Sequence, residues 1–78
     1  MTRNDKILIS VLRGYTLKQV GSVFGITGGR VKQIAVKTVK KYDENLYWSV
    51  MAQYPSGSIR VFRNHKNRLI SIITSGLS

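Results

Sequence analysis

Three residues, Gly25-Ile26-Thr27, separate two stretches of helical apolar spacing. A link that short leaves two helices little choice in how they cross. Leu17, Val20 and Phe24 line one side of the stretch before it, with Val23 beside them. Val31, Ile34, Ala35 and Thr38 line one side of the stretch after it. At about 100° per residue each set falls on one helical stripe. Gly25 supplies the positive φ that turns the chain out of the first helix. Gly21 keeps the first helix thin where the second crosses it, and Thr27 offers an N-cap oxygen to the second. The spacing predicts a helix-turn-helix, with helices over 17–24, capped by Thr16, and 28–41.

The remaining segments are read as helices by the same period. A helix over about 3–13 is capped by Thr2, with Asp5 favourable at the positive helix end. Ile7, Leu8, Val11 and Leu12 form its apolar face, and Gly14 stops it. A helix over about 44–54, with Asp43 as cap, presents Leu46, Tyr47, Val50, Met51 and Tyr54; Pro55 closes it, and 55–58 is a turn. A last helix over about 59–74, with Ser58 as cap, places Ile59, Phe62, Leu69, Ile70 and Ile73 on one face. Its β-branched run 68–74 also fits a strand. The tail 75–78 is expected to fray. The fold class is all-α: a three-helix core containing the helix-turn-helix, plus two C-terminal helices in one domain over 1–78. Residues 43–78 either cover that core or offer a homodimer interface. The aromatic set Tyr42, Tyr47, Trp48, Tyr54 and Phe62 is read as core.

Charge narrows the partner. Thirteen Lys and Arg stand against three acids among 78 residues, a net charge of +10. Residues 1–42 hold nine bases and one acid, a net of +8, and residues 43–78 hold four bases and two acids, a net of +2. Such a field favours a polyanion, and its asymmetry places the contact in the first half. Double-stranded DNA is the expected partner. A membrane is not, because no apolar run approaches the ~20 residues that span a bilayer. The start of the chain, with its acid and short apolar stretch, is not read as a secretory signal. A cytoplasmic, nucleoid-associated protein is expected.

Catalysis has no support in the residues. There is no cysteine, and His65 is the only histidine, so no metal site is expected. Asp5, Asp43 and Glu44 are the only acids, and no nucleophile–base–orienter set or phosphate loop is present. We expect no catalytic residues, no cofactor and no enzyme.

The outward face of the helix over 28–41 holds Gly29, Lys32, Gln33, Val36, Lys37 and Lys40. Lys32 and Gln33 have the chemistry to read base edges, Lys toward guanine and Gln toward adenine. Val36 is an apolar residue on a polar face; it meets either a thymine methyl or one of the later helices. The phosphate-contacting set is read as Thr16, Lys18, Thr27, Gly28, Gly29, Arg30, Lys37, Lys40 and Lys41. The glycines enter because a helix N-terminus has free N–H groups and glycine lets a phosphate approach closely. Arg60, Arg63, Lys66 and Arg68 are read as the solvent face of the last helix.

Residues 2–42 resemble the C-terminal DNA-binding domain, region four, of bacterial sigma factors. Thr16-Leu17, Val20-Gly21, Gly25-Ile26-Thr27, Arg30-Val31-Lys32-Gln33-Ile34, Lys37 and Lys40 match that pattern, and the opening Thr2–Leu8 is similar to the start of the family's preceding helix. The resemblance implies a helix-turn-helix whose second helix binds promoter DNA and a domain that also touches the flap of RNA polymerase. It implies a DNA-reading module standing alone, as in small bacterial or phage transcription regulators. It does not extend to 43–78. At Gly28-Gly29 the family usually has Arg-Glu, both helping to contact DNA, so its base preference does not carry over there. Either these glycines admit a phosphate, or the domain has exchanged base reading for a grip on RNA polymerase or a sigma factor.

Overall fold

The computed structural model describes residues 1–75 and contains six helices among them: α1 (Arg3–Leu12), α2 (Leu17–Phe24), α3 (Gly28–Tyr42), α4 (Glu44–Gln53), α5 (Ser58–Asn64) and α6 (Lys66–Ser75). The expected fraying beyond residue 75 lies outside the described residues. The all-α reading holds, and no strand occurs among the described residues, 68–74 included.

The first three helices start at threonines for a local reason. The hydroxyls of Thr2, Thr16 and Thr27 accept from the backbone N–H of Asp5, Gln19 and Arg30 at 3.2, 3.0 and 3.1 Å. Asp5 and Gln19 return the bond to the threonine backbone at 3.2 and 2.9 Å, which completes a capping box on α1 and on α2. Gly25 ends α2 at φ 71°, the left-handed conformation the turn requires. The Ile26 N–H then bonds back to the Gly21 carbonyl at 2.9 Å. A side chain on Gly21 would overlap the Ile26 carbonyl oxygen, so the close crossing depends on glycine there.

α3 is the central element and packs on α1, α2 and α4, while α5 and α6 close over α1 and α3. Ile7, Leu8, Val11 and Leu12 of α1 are buried as expected, and Ile9 joins them. Val31, Ile34, Ala35 and Val39 of α3 meet Val20 of α2, Val50 of α4, Phe62 of α5, and Leu69 and Ile73 of α6 in one cluster. Each fully buried side chain of this size contributes about 1.5–3 kcal/mol relative to exposure. Thr38 is buried too, its hydroxyl satisfied by the Ile34 carbonyl at 2.7 Å.

A buried polar bond ties the start of α1 to the end of α3. The Tyr42 hydroxyl donates to Asp5 Oδ1 at 2.9 Å. Burial alone would push the Asp5 carboxyl up; the Tyr42 hydroxyl, the Thr2 bonds and the Lys41 charge outweigh it and hold the carboxyl below its ordinary range. Burial and the Asp5 partner both push Tyr42 up.

The structure departs from the sequence reading in the second half. The single helix expected over 59–74 is two helices. At His65 the chain leaves the helix (ψ 20°), and its N–H bonds to the Phe62 carbonyl three residues back at 3.0 Å. Asn64 and His65 are weak helix formers, and the break lets α5 and α6 each lie against α1. Ser58 is not the cap; Gly57 holds that position without a side-chain bond, and the Ser58 hydroxyl is buried with no hydrogen-bond partner among the described residues. The aromatic set divides. Phe62 is buried, Tyr42 and Tyr47 are half-buried, and Trp48 and Tyr54 are exposed because they fall on the sides of α4 that no helix covers. Val23 is 80% exposed rather than packed beside Val20 and Phe24.

Candidate nucleic-acid interface

α3 buries one stripe and leaves the other open. Gly29, Arg30, Gln33, Lys37 and Lys40 are exposed, and Lys32 and Val36 are half-buried. Val36 packs against the edge of the core and lines a shallow recess with Tyr47 of α4, while part of its side chain stays open on the outward face.

The N-termini of α2 and α3 lie side by side. A Cβ built on Gly28 would stand 3.5 Å from the Leu17 Cβ and the Lys18 backbone N, an ordinary contact. One built on Gly29 would meet nothing within 4 Å. Neither glycine is required by packing. This arrangement gathers Thr16, Lys18, Thr27, Gly28 and Gly29 into one neighbourhood of free helix N–H groups. The Thr16 and Thr27 hydroxyls already act as caps.

The cations differ in what they already do. Arg30 Nη1 donates to Gln33 Oε1 at 3.3 Å, which orients that amide; a bidentate pair with adenine needs the same oxygen as acceptor. Lys32 and Lys37 flank Val36 at the rim of the recess. Lys40 Nζ sits 5.0 Å from the Trp48 ring centroid and 5.5 Å from that of Tyr47. Lys41 lies over Tyr42 at 5.4 Å and beside Asp5, turned from the outward face toward α1.

Several roles left no sequence signal. Arg63 is not a solvent-face cation: Nε donates to the Val11 carbonyl at 2.9 Å and Nη2 to the Tyr15 carbonyl at 2.8 Å, tying the C-terminal end of α1 to α5. Asp43 is the expected cap of α4, accepting from the Leu46 N–H at 3.2 Å, but its near burial and its pairing with Arg68 at 3.1 Å had no such signal. Asp5 and Asp43 are thus committed to structural contacts inside the fold, and Glu44 is the one exposed acid, bonded to the Trp48 indole at 3.3 Å. Among the described residues no group of His, Cys, Asp or Glu could hold a metal ion, and no helix is long and apolar enough to cross a membrane.

α2, the Gly25 turn and α3 together form a helix-turn-helix, the architecture of a DNA-binding module. Residues 6–41, which cover most of α1, all of α2 and nearly all of α3, match the family model described as Sigma-70, region 4. That segment, a little under half of the chain, is similar to this family, a DNA-binding helix-turn-helix domain and not an enzyme family. No curated protein and no solved structure matches the chain.

Proposed function

We propose that the protein is a sequence-specific double-stranded DNA-binding transcription regulator, of the small bacterial or phage kind, that reads the major groove with α3. The observation that carries this reading is the outward face of α3, where Arg30, Lys32, Gln33, Lys37 and Lys40 stand together and no acid stands among them. Lys32, Gln33 and Val36 read bases. Arg30, Lys37 and Lys40, with Lys18, Thr16, Thr27 and the N–H groups at Gly28 and Gly29, hold phosphates, while Lys41, beside Asp5, adds only to the field. Such a protein acts in the cytoplasm, associated with the nucleoid, and catalyses no reaction.

The test is selection of bound duplexes from a random pool, followed by sequencing. An enriched motif is expected, asymmetric for a monomer and palindromic for a homodimer through residues 43–78. Gln33→Ala is expected to relax preference at one position. Lys37→Ala should weaken all sites alike and lower the salt slope by about 1. Binding without enrichment overturns base readout.

A second reading, a sigma-domain mimic that grips RNA polymerase or a sigma factor with DNA secondary, is favoured by a different surface. A groove of about 500 Å³ runs between α1 and α2, lined by Arg13, Tyr15, Val23 and Phe24 among others. Its exposed Val23 and Tyr15 offer apolar area to a protein partner. Pull-down from nuclease-treated bacterial lysate tests it; recovery of no polymerase subunit or sigma factor removes it.

A further inference from the structure

The recess beside the outward face of α3 is built by two helices, only one of which lies in the 6–41 segment. Lys32, Gln33, Val36 and Lys37 line it from α3 and Tyr47 from α4, around about 260 Å³ of space. Val36 and Tyr47 are half-buried and pack on the core, so the apolar wall is fixed by the fold. Tyr47 is held further. Its ring meets Trp48 edge-on at 5.0 Å, and Lys40 Nζ lies over both rings. The rest of the lining comes from two lysines and a glutamine.

This is an apolar patch with polar groups around it, at the height of a helix face that enters a major groove. Among the base edges exposed there, the thymine 5-methyl is the apolar one. We propose that Val36 and Tyr47 form a pocket for a thymine methyl group, which makes Tyr47 a specificity-determining residue contributed by the C-terminal half. The inference rests on the DNA-reading function of α3 and adds a contact from α4.

The experiment uses the full chain and the most enriched duplex of the selection. Each thymine is replaced in turn by deoxyuridine, which deletes the methyl and leaves every hydrogen-bonding edge intact. For the unaltered protein, one replacement is expected to weaken binding roughly fourfold, the effect of one apolar carbon. The same replacement should leave the affinity of Tyr47→Ala unchanged. Val36→Asn replaces both γ-methyls by a carboxamide of similar size and serves as a second variant that leaves Tyr47 in place; it too should lose the discrimination. An enriched motif in which no thymine is sensitive refutes the pocket and leaves base readout standing. Full retention of the uracil penalty in both variants also refutes it. Tighter binding of Tyr47→Ala to every duplex would mean that α4 shields the face instead, and would overturn the proposal. If the pool yields no motif at all, the DNA-reading function itself fails and the pocket falls with it.

Discussion

Residues 1–42 and residues 43–75 supply opposite walls of the same core, but they encode their helices differently. In the first half each helix starts at a threonine whose hydroxyl accepts from the N–H three residues on, and the turn has a glycine at positive φ. In the second half Asp43 caps α4, while α5 begins behind Gly57 with no side-chain cap and breaks off at His65. The second half is placed by what it touches: Phe62, Leu69 and Ile73 in the core, Arg63 on two carbonyls near the end of α1, and Arg68 on Asp43. Local signals therefore set the geometry of the helix-turn-helix half, and packing sets the geometry of its cover.

The sharpest way to break this contrast is to empty the cover. Phe62→Ala is expected to cost about 3–5 kcal/mol in urea denaturation, as one cooperative transition that melts all six helices together. Two separate transitions, with the first three helices surviving, would show that the helix-turn-helix half stands without α5 and α6. The next largest effect lies within the first half. Gly21→Val drives a side chain into the Ile26 carbonyl and should cost roughly 3 kcal/mol. Gly29→Ala, built into open space near a helix start, should cost nothing and gain at most about 1 kcal/mol. Equal losses at both would mean that the crossing is not what Gly21 protects.

The smallest effect sharpens the comparison by pH. Tyr42→Phe removes the bond to Asp5 and should cost about 1–2 kcal/mol near neutrality. The Asp5 carboxyl is lowered in the native state, so its contribution is present above its ordinary value of 3.8 and is lost as pH falls through the native value. The Tyr42 hydroxyl is raised, so its contribution is present below 10.0 and is lost as pH rises through the native value. Denaturation midpoints of the two proteins should differ most between about pH 5 and 9 and converge at both extremes. A constant gap across that range would remove the carboxylate from the account.

What was legible follows from the same physics. Thr2, Thr16, Thr27, Gly21 and Gly25 act on neighbours within six residues, and the sequence displays such neighbours side by side. The buried stripe of α3 followed from its period. Arg63 acts on carbonyls 48 and 52 residues away, and Tyr42 on a carboxylate 37 residues away, so neither role has a spacing to read. The break at His65 was hidden because Phe62 and Leu69, seven residues apart, stay in helical phase across the polar run 63–68. Tyr54 continued the apolar period of α4 yet stands exposed just past the end of that helix, and Trp48, off that face, is exposed as well. The outward stripe of α3 followed from its period, but the recess that Tyr47 shares with it did not, because that depends on where α4 lies.

The open space around Gly29 also bears on how such a protein changes over generations. A substitution there meets no neighbour, while one at Gly21 disrupts the crossing beneath it. Mutations at position 29 are therefore hardly filtered at all by the need to fold. A single codon change can add a side chain at the tip of α3 without disturbing the core. The bare start of the helix is a position where variation accumulates without cost to the fold.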